Sequence, residues 1–551
     1  MFPHQFIPAR VSAAAMLVVT ALSQSGCGGD ATGIPGRVRS ANAVSAVPAA
    51  QRDLTCLSIR ELQDAYRDNR LSAEQVVQAY LHQVRDYEPA YNAFTFENQA
   101  ALEQARAVDR ARRNGLTLGP LAGVPSVIKE SIAGAGYPST AGWSLLAPAS
   151  GGPALMPLRH AAAAQRLFDA GAILIGKGNM PTFADDNTRA NSSWAGPTYN
   201  AIDRTIVPGG SSAGVATAVA AGFAAAGLAE ETGGSIQSPS AAQSLVGIKP
   251  TFGLVPTSGV VPLGGSTRDV LGPIAGNVED AAILLDVVAG VSNDDPRTAA
   301  ARGRLPQGGY AKGLDRQSLR GKRIGLYGPG WREQELALAT RALYQAAIAE
   351  LTARGAVVVT DPFAGSGYAR LALPNVGYDF RGTESAAHDL DSYLRGVGVA
   401  SLGALKQRIG VTPFDEGQPL NWYVELLPVL KASLADPAAM PDLSQYAALK
   451  ADYLRVFNSV METKRLDAMV FPQAVEALPA MDDGNYINET TVSSLNIAGL
   501  PGVTVPAGRY PAGAPFSLIF VGRQWSEKSL IDMAYDYEQA TRHRILPVLR
   551  R

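Results

Sequence analysis

The chain of 551 residues is 46% hydrophobic and 18% charged, with a formal net charge of -1, values that describe a globular protein with ample core and exclude a basic nucleic-acid binder. Its two cysteines and five histidines (His4, His82, His160, His388 and His543) are scattered, so no metal-ligand spacing appears and neither a metal nor another cofactor is expected. Histidine scarcity also weighs against a Ser-His-Asp triad, since neither His160 nor His388 sits in a context that marks a base.

The amino terminus reads as an export signal over 1–27. His4 and Arg10 precede an apolar run over 13–22, which is too short to span a bilayer and fits a signal-peptide core. Ser25 and Gly26 then lead to Cys27, as at the sites where bacterial lipoproteins are cleaved and acylated, although Gln24 stands where an apolar residue is usual. The expectation is a periplasmic, lipoprotein-type or secreted protein, with Cys27 as the candidate point of membrane attachment. Residues 28–54, rich in Gly, Ala, Ser and Val, read as a flexible tether. The folded body then runs over 55–551.

Two capping boxes open that body. Ser58 with Glu61, and Ser72 with Gln75, each satisfy free amides at the start of a helix. Val76, Val77, Tyr80, Leu81 and Val84 line one face of the second helix, and a third helix is expected over 99–113. The segment 121–130 is an apolar strand closed by Lys129 and Glu130. A lysine there either turns out to solvent or is held inside, where desolvation lowers its pKa and frees the amine to act as a base. A helix over 164–170 and a strand over 172–176 continue the alternation of an α/β protein. The polar, turn-rich segment 177–207 reads as a surface loop or a pocket wall.

Between Pro208 and Pro250 stand two Gly-Gly-Ser turns, Gly209 to Ser211 and Gly233 to Ser235, separated by alanine, valine and glycine that read as a buried helix. Glycine lets a turn present a serine closely to a substrate and aim neighbouring amides at one oxygen, which is the arrangement of a nucleophile with its own oxyanion hole. Either turn alone reads as an ordinary loop. Beyond them come a strand near 248, a helix over 278–288, a strand over 323–327, a helix over 333–354 and strands over 356–360, 468–471 and 516–521. A helix over 526–541 closes the pattern. Residues 363–446 show little strand character and are the candidate for a variable cap. The fold class is therefore α/β, one large domain with a mixed central sheet covered by helices on both faces.

The motifs PGGSSAG and EETGGSIQSPSAAQSLVGIKPTFGLVP, with GVPSVIKE and TYNAIDRTIVPGG upstream and STRDVLGPIAGNVEDAAILL downstream, resemble the amidase signature family. The resemblance covers nearly everything from Leu57 onward, and YDFRGTESAAHDLDSYL is similar to the peptide amidase and aryl acylamidase branch. It implies a serine amidase in which Ser235 is the acylated nucleophile, Ser211, after a cis peptide bond, the bridging serine, and Lys129 the terminal base, its pKa held below the roughly 10.4 of a free side chain by burial and neighbouring donors. The amides of Thr232, Gly233, Gly234 and Ser235 are the implied oxyanion hole, and Ser212 supports the network. Ala213, Glu231 and Thr182 depart from the family pattern, the last at a position expected to shape the substrate pocket. The implied substrate is a small-molecule or peptide amide. Esterase or acyl-transfer activity through the same acyl-enzyme, or an inactive binding protein on the same scaffold, are the alternatives. A glutamine-dependent subunit of a transamidation complex is disfavoured by the export signal.

Overall fold

The structure is a computed structural model that describes residues 54–373 and 378–551. The export signal, Cys27 and all but the end of the tether lie outside the described residues.

Eleven strands form one mixed sheet. In chain order they are β1 (Phe94–Glu97), β2 (Pro125–Lys129), β3 (Ile173–Gly178), β4 (Ala226–Glu231), β5 (Val246–Lys249), β6 (Val270–Ala275), β7 (Arg323–Leu326), β8 (Val357–Val359), β9 (Ala468–Pro472), β10 (Gly502–Arg509) and β11 (Pro515–Val521). Across the sheet the order is β1-β3-β2-β4-β6-β5-β10-β11-β9-β7-β8. β2 lies parallel to both β3 and β4, β7 is parallel to β8 and β9, and the strands between run antiparallel.

Strand side chains alternate between faces, and here both faces are apolar. Ile128, Leu174 and Leu228 pack on one side, against the helices Ala162–Asp169, Val278–Val288 and Glu527–Thr541. Their neighbours Val127, Ile173, Ile175 and Ala229 pack on the other, against Ala73–Tyr87 and Ala213–Ala220. The same division recurs at the far end, where Val470 and Phe520 face one cluster and Phe471 and Ile519 another. Helices thus cover both faces of a single large α/β domain. Among the described residues no helix is long and apolar enough to cross a membrane.

Both capping boxes form: Ser58 Oγ accepts from the amide of Glu61, and Ser72 Oγ from that of Gln75, with each partner side chain bonded back to the cap backbone. The segment between the two serine turns departs from expectation. Only Ala213–Ala220 is helical, and Ala226–Glu231 is strand β4. Small residues are equally compatible with a tightly packed helix and with a central strand. The slot between β2 and β6 decides, supplying ladder partners on both edges. β1, β6 and β10 are further strands that no sequence pattern marked. Residues 333–337 precede the helix Leu338–Ala353 rather than belonging to it. Within 363–446 lie the helices Ala386–Gly396, Leu402–Ile409, Asn421–Leu426 and Pro428–Ser433, whose apolar faces join Trp143, Phe183 and Leu263 in a separate cluster.

Candidate active site

β2 and β4 are parallel with Ile128 opposite Leu228, so Lys129 and Glu230 come together at the C-terminal ends of these two neighbouring strands. Every residue of β2 and β4 is buried. Lys129 is 0% exposed, and its Nζ lies 2.7 Å from Ser211 Oγ, 3.1 Å from the Glu230 backbone carbonyl and 2.5 Å from Glu230 Oε2. Ser211, which follows a cis peptide bond after Gly210, places its Oγ 2.8 Å from Ser235 Oγ, a hydroxyl pair in which either oxygen can donate. Ser212 Oγ donates to the Glu230 carbonyl at 3.2 Å. Tertiary structure thus brings Lys129, Ser211, Ser212 and Ser235 together from well-separated stretches of sequence. Where neighbouring donors were expected, Glu230 sets two acceptors against Lys129, its carbonyl and its carboxyl, and the Ser211 hydroxyl can give or take a hydrogen.

The turn before Ser235 is built to leave amides open. Gly234 has φ +94, in the region that favours glycine. A Cβ on Gly233 would collide with the Tyr378 ring. The amides of Gly233, Gly234 and Ser235 donate to no acceptor among the described residues. Glu231 fixes the following turn, its carboxylate accepting from the amides of Ile236 at 2.7 Å and Gln237 at 3.1 Å and from Asn496 Nδ2 at 2.7 Å. Arg268, fully buried, donates to the Thr232 carbonyl at 3.2 Å and to the carbonyls of Asp379 and Arg381, and lies over the Tyr378 ring. The serine turn and the segment 379–381 are therefore cross-linked by one guanidinium.

Ser235 opens onto a cleft of about 1640 Å³ whose walls include Asp185, Asn187, Tyr378, Trp422 and Tyr423. Thr182 does not line it. Its hydroxyl is spent on the carbonyls of Gly142 and Ser192, and the loop lines the cleft from Ala184 onward, through Asp185 and Asn187. Burial pushes the Asp185 carboxyl up to about 7, although Trp422 Nε1 at 2.6 Å and the Tyr423 hydroxyl at 2.7 Å donate to it. Glu489, buried beneath the cleft against Ser238 and Asn187, is raised well above the usual carboxylate range by desolvation. Lys177 is buried with no partner for its Nζ among the described residues and is lowered by desolvation.

Several of these residues carry little or no signal in the sequence. Glu230 and Arg268 lie inside visible motifs, and the adjacent acids closing the apolar run AGLAEE are the available sign of Glu230. Asp185, Trp422 and Tyr423 come together from distant segments and carry none. Among the described residues no group of three or more His, Cys, Asp or Glu side chains is placed to hold a metal ion.

The arrangement offers a buried amine, two hydroxyls in series and a turn of open amides beside a large cleft, the components of acyl transfer to a serine. A family model described as Amidase matches residues 75–531. The chain is 33% identical to the native peptide amidase of Stenotrophomonas maltophilia, covering 92% of this chain and 100% of that one with a TM-score of 0.71. It is 28% identical to an amidase family protein of Bacillus anthracis, over 90% and 93% of the two chains with a TM-score of 0.72. Among curated relatives, a glutamyl-tRNA(Gln) amidotransferase component of Moorella thermoacetica is 31% identical over 90% of this chain and 99% of its own.

Proposed function

The chain belongs to the amidase signature family, and from that premise we propose that it is a hydrolase that cleaves a carboxamide C–N bond through an acyl-enzyme on Ser235. The single observation that carries this reading is the continuous contact from Lys129 Nζ through Ser211 Oγ to Ser235 Oγ. In the proposed step Ser235 Oγ attacks the carbonyl carbon, its proton passes to Ser211 Oγ, and the Ser211 proton passes to Lys129 Nζ. The carbonyl π-electron pair moves onto oxygen, where the open amides of Gly233, Gly234 and Ser235 meet it without reorganisation. Reversal of the relay protonates the departing amine, and water then releases the acyl group. The leader motif supports export, with Cys27 as the lipid attachment point.

Ser235→Ala should abolish amide turnover while leaving the circular dichroism spectrum and melting temperature close to those of the parent, and labelling by a fluorophosphonate should disappear with it. Undiminished hydrolysis by that variant sinks the assignment. A panel of peptide amides, anilides, primary amides and esters would identify the acyl and leaving groups, and added amine would reveal acyl transfer.

A second reading has its own support, because the Moorella amidotransferase component resembles this chain over 99% of its length. It predicts glutamine as the preferred amide and little turnover of peptide amides. The similarity to a peptide amidase over that protein's whole chain favours the first.

A further inference from the structure

The proposed relay has a hydrogen-count problem at its inner end. Lys129 Nζ faces Ser211 Oγ, the Glu230 carbonyl and Glu230 Oε2: as an ammonium it donates to all three and has no lone pair for the Ser211 proton, whereas as a neutral amine it keeps two hydrogens for Glu230 and turns its lone pair to the Ser211 hydroxyl. One proton must leave Lys129 before it can serve as a base. Both it and its carboxylate partner are sealed from solvent, at 0% and 1% exposure, which leaves no direct exchange with water. Glu230 Oε2, at 2.5 Å, is the acidic acceptor in contact with the amine.

On that relay we propose that Glu230 is the proton-holding partner of Lys129: it takes the Nζ proton at Oε2, so that amine and carboxylic acid replace ammonium and carboxylate before Ser235 attacks. The transfer balances, since one N–H bond breaks, one O–H bond forms and the net charge of the pair is unchanged; rotation about Cε–Nζ then turns the freed lone pair from Oε2 to Ser211 Oγ. Desolvation favours the neutral arrangement over the ion pair, because two buried charges lose hydration that their mutual attraction only partly returns. Glu230 acts through Lys129 and does not touch the reacting carbonyl.

The surroundings fit a carboxyl that alternates between two states. Its other oxygen, Oε1, lies 3.1 Å from Thr232 Oγ1, which lies 2.6 Å from Asp269 Oδ1. A hydroxyl has one hydrogen to give, so it serves one of two carboxylates at a time. Asp269 also accepts from the amides of Leu263 and Gly264, both at 3.0 Å, and burial with the nearby Glu230 carboxylate pushes it up to about 7. Other charged groups nearby are Glu130, next after Lys129 and bonded to Thr140, Glu231, next on β4 and bonded to Ile236 and Gln237, and Arg268, which donates to the Thr232 carbonyl. From the Ser211 side the hydroxyls of Ser211 and Ser212 contact the pair.

The test is the pH dependence of kcat/KM for the full chain and its Glu230→Gln variant on one amide substrate. With Glu230 present, the base forms by internal transfer and the acid limb belongs to the pair's carboxyl. Without it, the amine must lose its proton to solvent, so the limb moves up by about one unit or more, with about a tenfold loss at pH 7 that is recovered at alkaline pH. Glu230→Asp should keep the parent limb. If Glu230 merely anchors an ammonium, removing its charge makes the amine easier to deprotonate and the limb moves down. A downward or unmoved limb overturns the proposal. Should Glu230→Gln fail to fold, the parent enzyme decides: a carboxyl limb barely shifts on warming, whereas an amine limb falls steeply, and the latter overturns the proposal. Failure of the relay itself is distinguishable, since then the parent neither hydrolyses the amide nor labels at Ser235.

Discussion

Adjacent on β4, Glu230 and Glu231 point to opposite faces of the sheet and serve different partners. Glu230 meets Lys129, whereas Glu231 accepts from Ile236, Gln237 and Asn496 and so holds the turn that presents Ser235. Glu231→Ala leaves those buried donors without an acceptor and should cost on the order of 3 kcal/mol, read from urea unfolding, together with lost activity from a slackened turn. Ser211→Ala breaks the contact chain without emptying the core. It should lower kcat by about a hundredfold or more with little change in KM and an unchanged melting temperature. Lys129, Ser211 and Ser235 are readable in the sequence because each stands in a dense local motif. Glu230 is not, because its importance depends on the register of two strands far apart along the chain.

The helix Asn421–Leu426 is tied to the loop ahead of Ser211 by Asp185, which accepts from both Trp422 and Tyr423. Burial favours its protonated form in the fold, with a pKa of about 7 against an ordinary value of 3.8. The folded state therefore binds more protons than the unfolded state between these values, and its stability falls as pH rises from about 4 to 7. Asp185→Asn removes that dependence, so its stability relative to the parent should grow across the same window in urea titrations. Asp185→Ala leaves the indole and phenol without their acceptor, which should cost about 1–3 kcal/mol and speed hydrogen exchange in 421–426. Neither effect is legible in the sequence, where Asp185 is an unremarkable acid in a polar loop. The capping boxes at Ser58 and Ser72 are fully legible, because their partners lie within one helical turn.

At the scale of the molecule, the sheet sets Lys129 and Glu230 at the C-terminal ends of two adjacent parallel strands, and the two serine turns deliver Ser211 and Ser235 to them. The leader makes a separate prediction. Expressed in a bacterium with a lipoprotein pathway, the chain should be cleaved before Cys27 and carry acyl mass on that cysteine, seen by mass spectrometry of the mature terminus. Cys27→Ser should move it from the membrane to the soluble fraction; an uncleaved terminus would remove the case for export. What the sequence by itself determined was local: helix caps, most strands, the paired serine turns and the lysine closing an apolar run, all set by residues within a few positions of one another. Tertiary structure alone decided that 226–231 is a strand, that Lys129 faces a carboxylate, and which side chains wall the cleft. Those outcomes rest on ladder pairing, shared burial and charge proximity, energies that come into being only when distant segments are brought into contact.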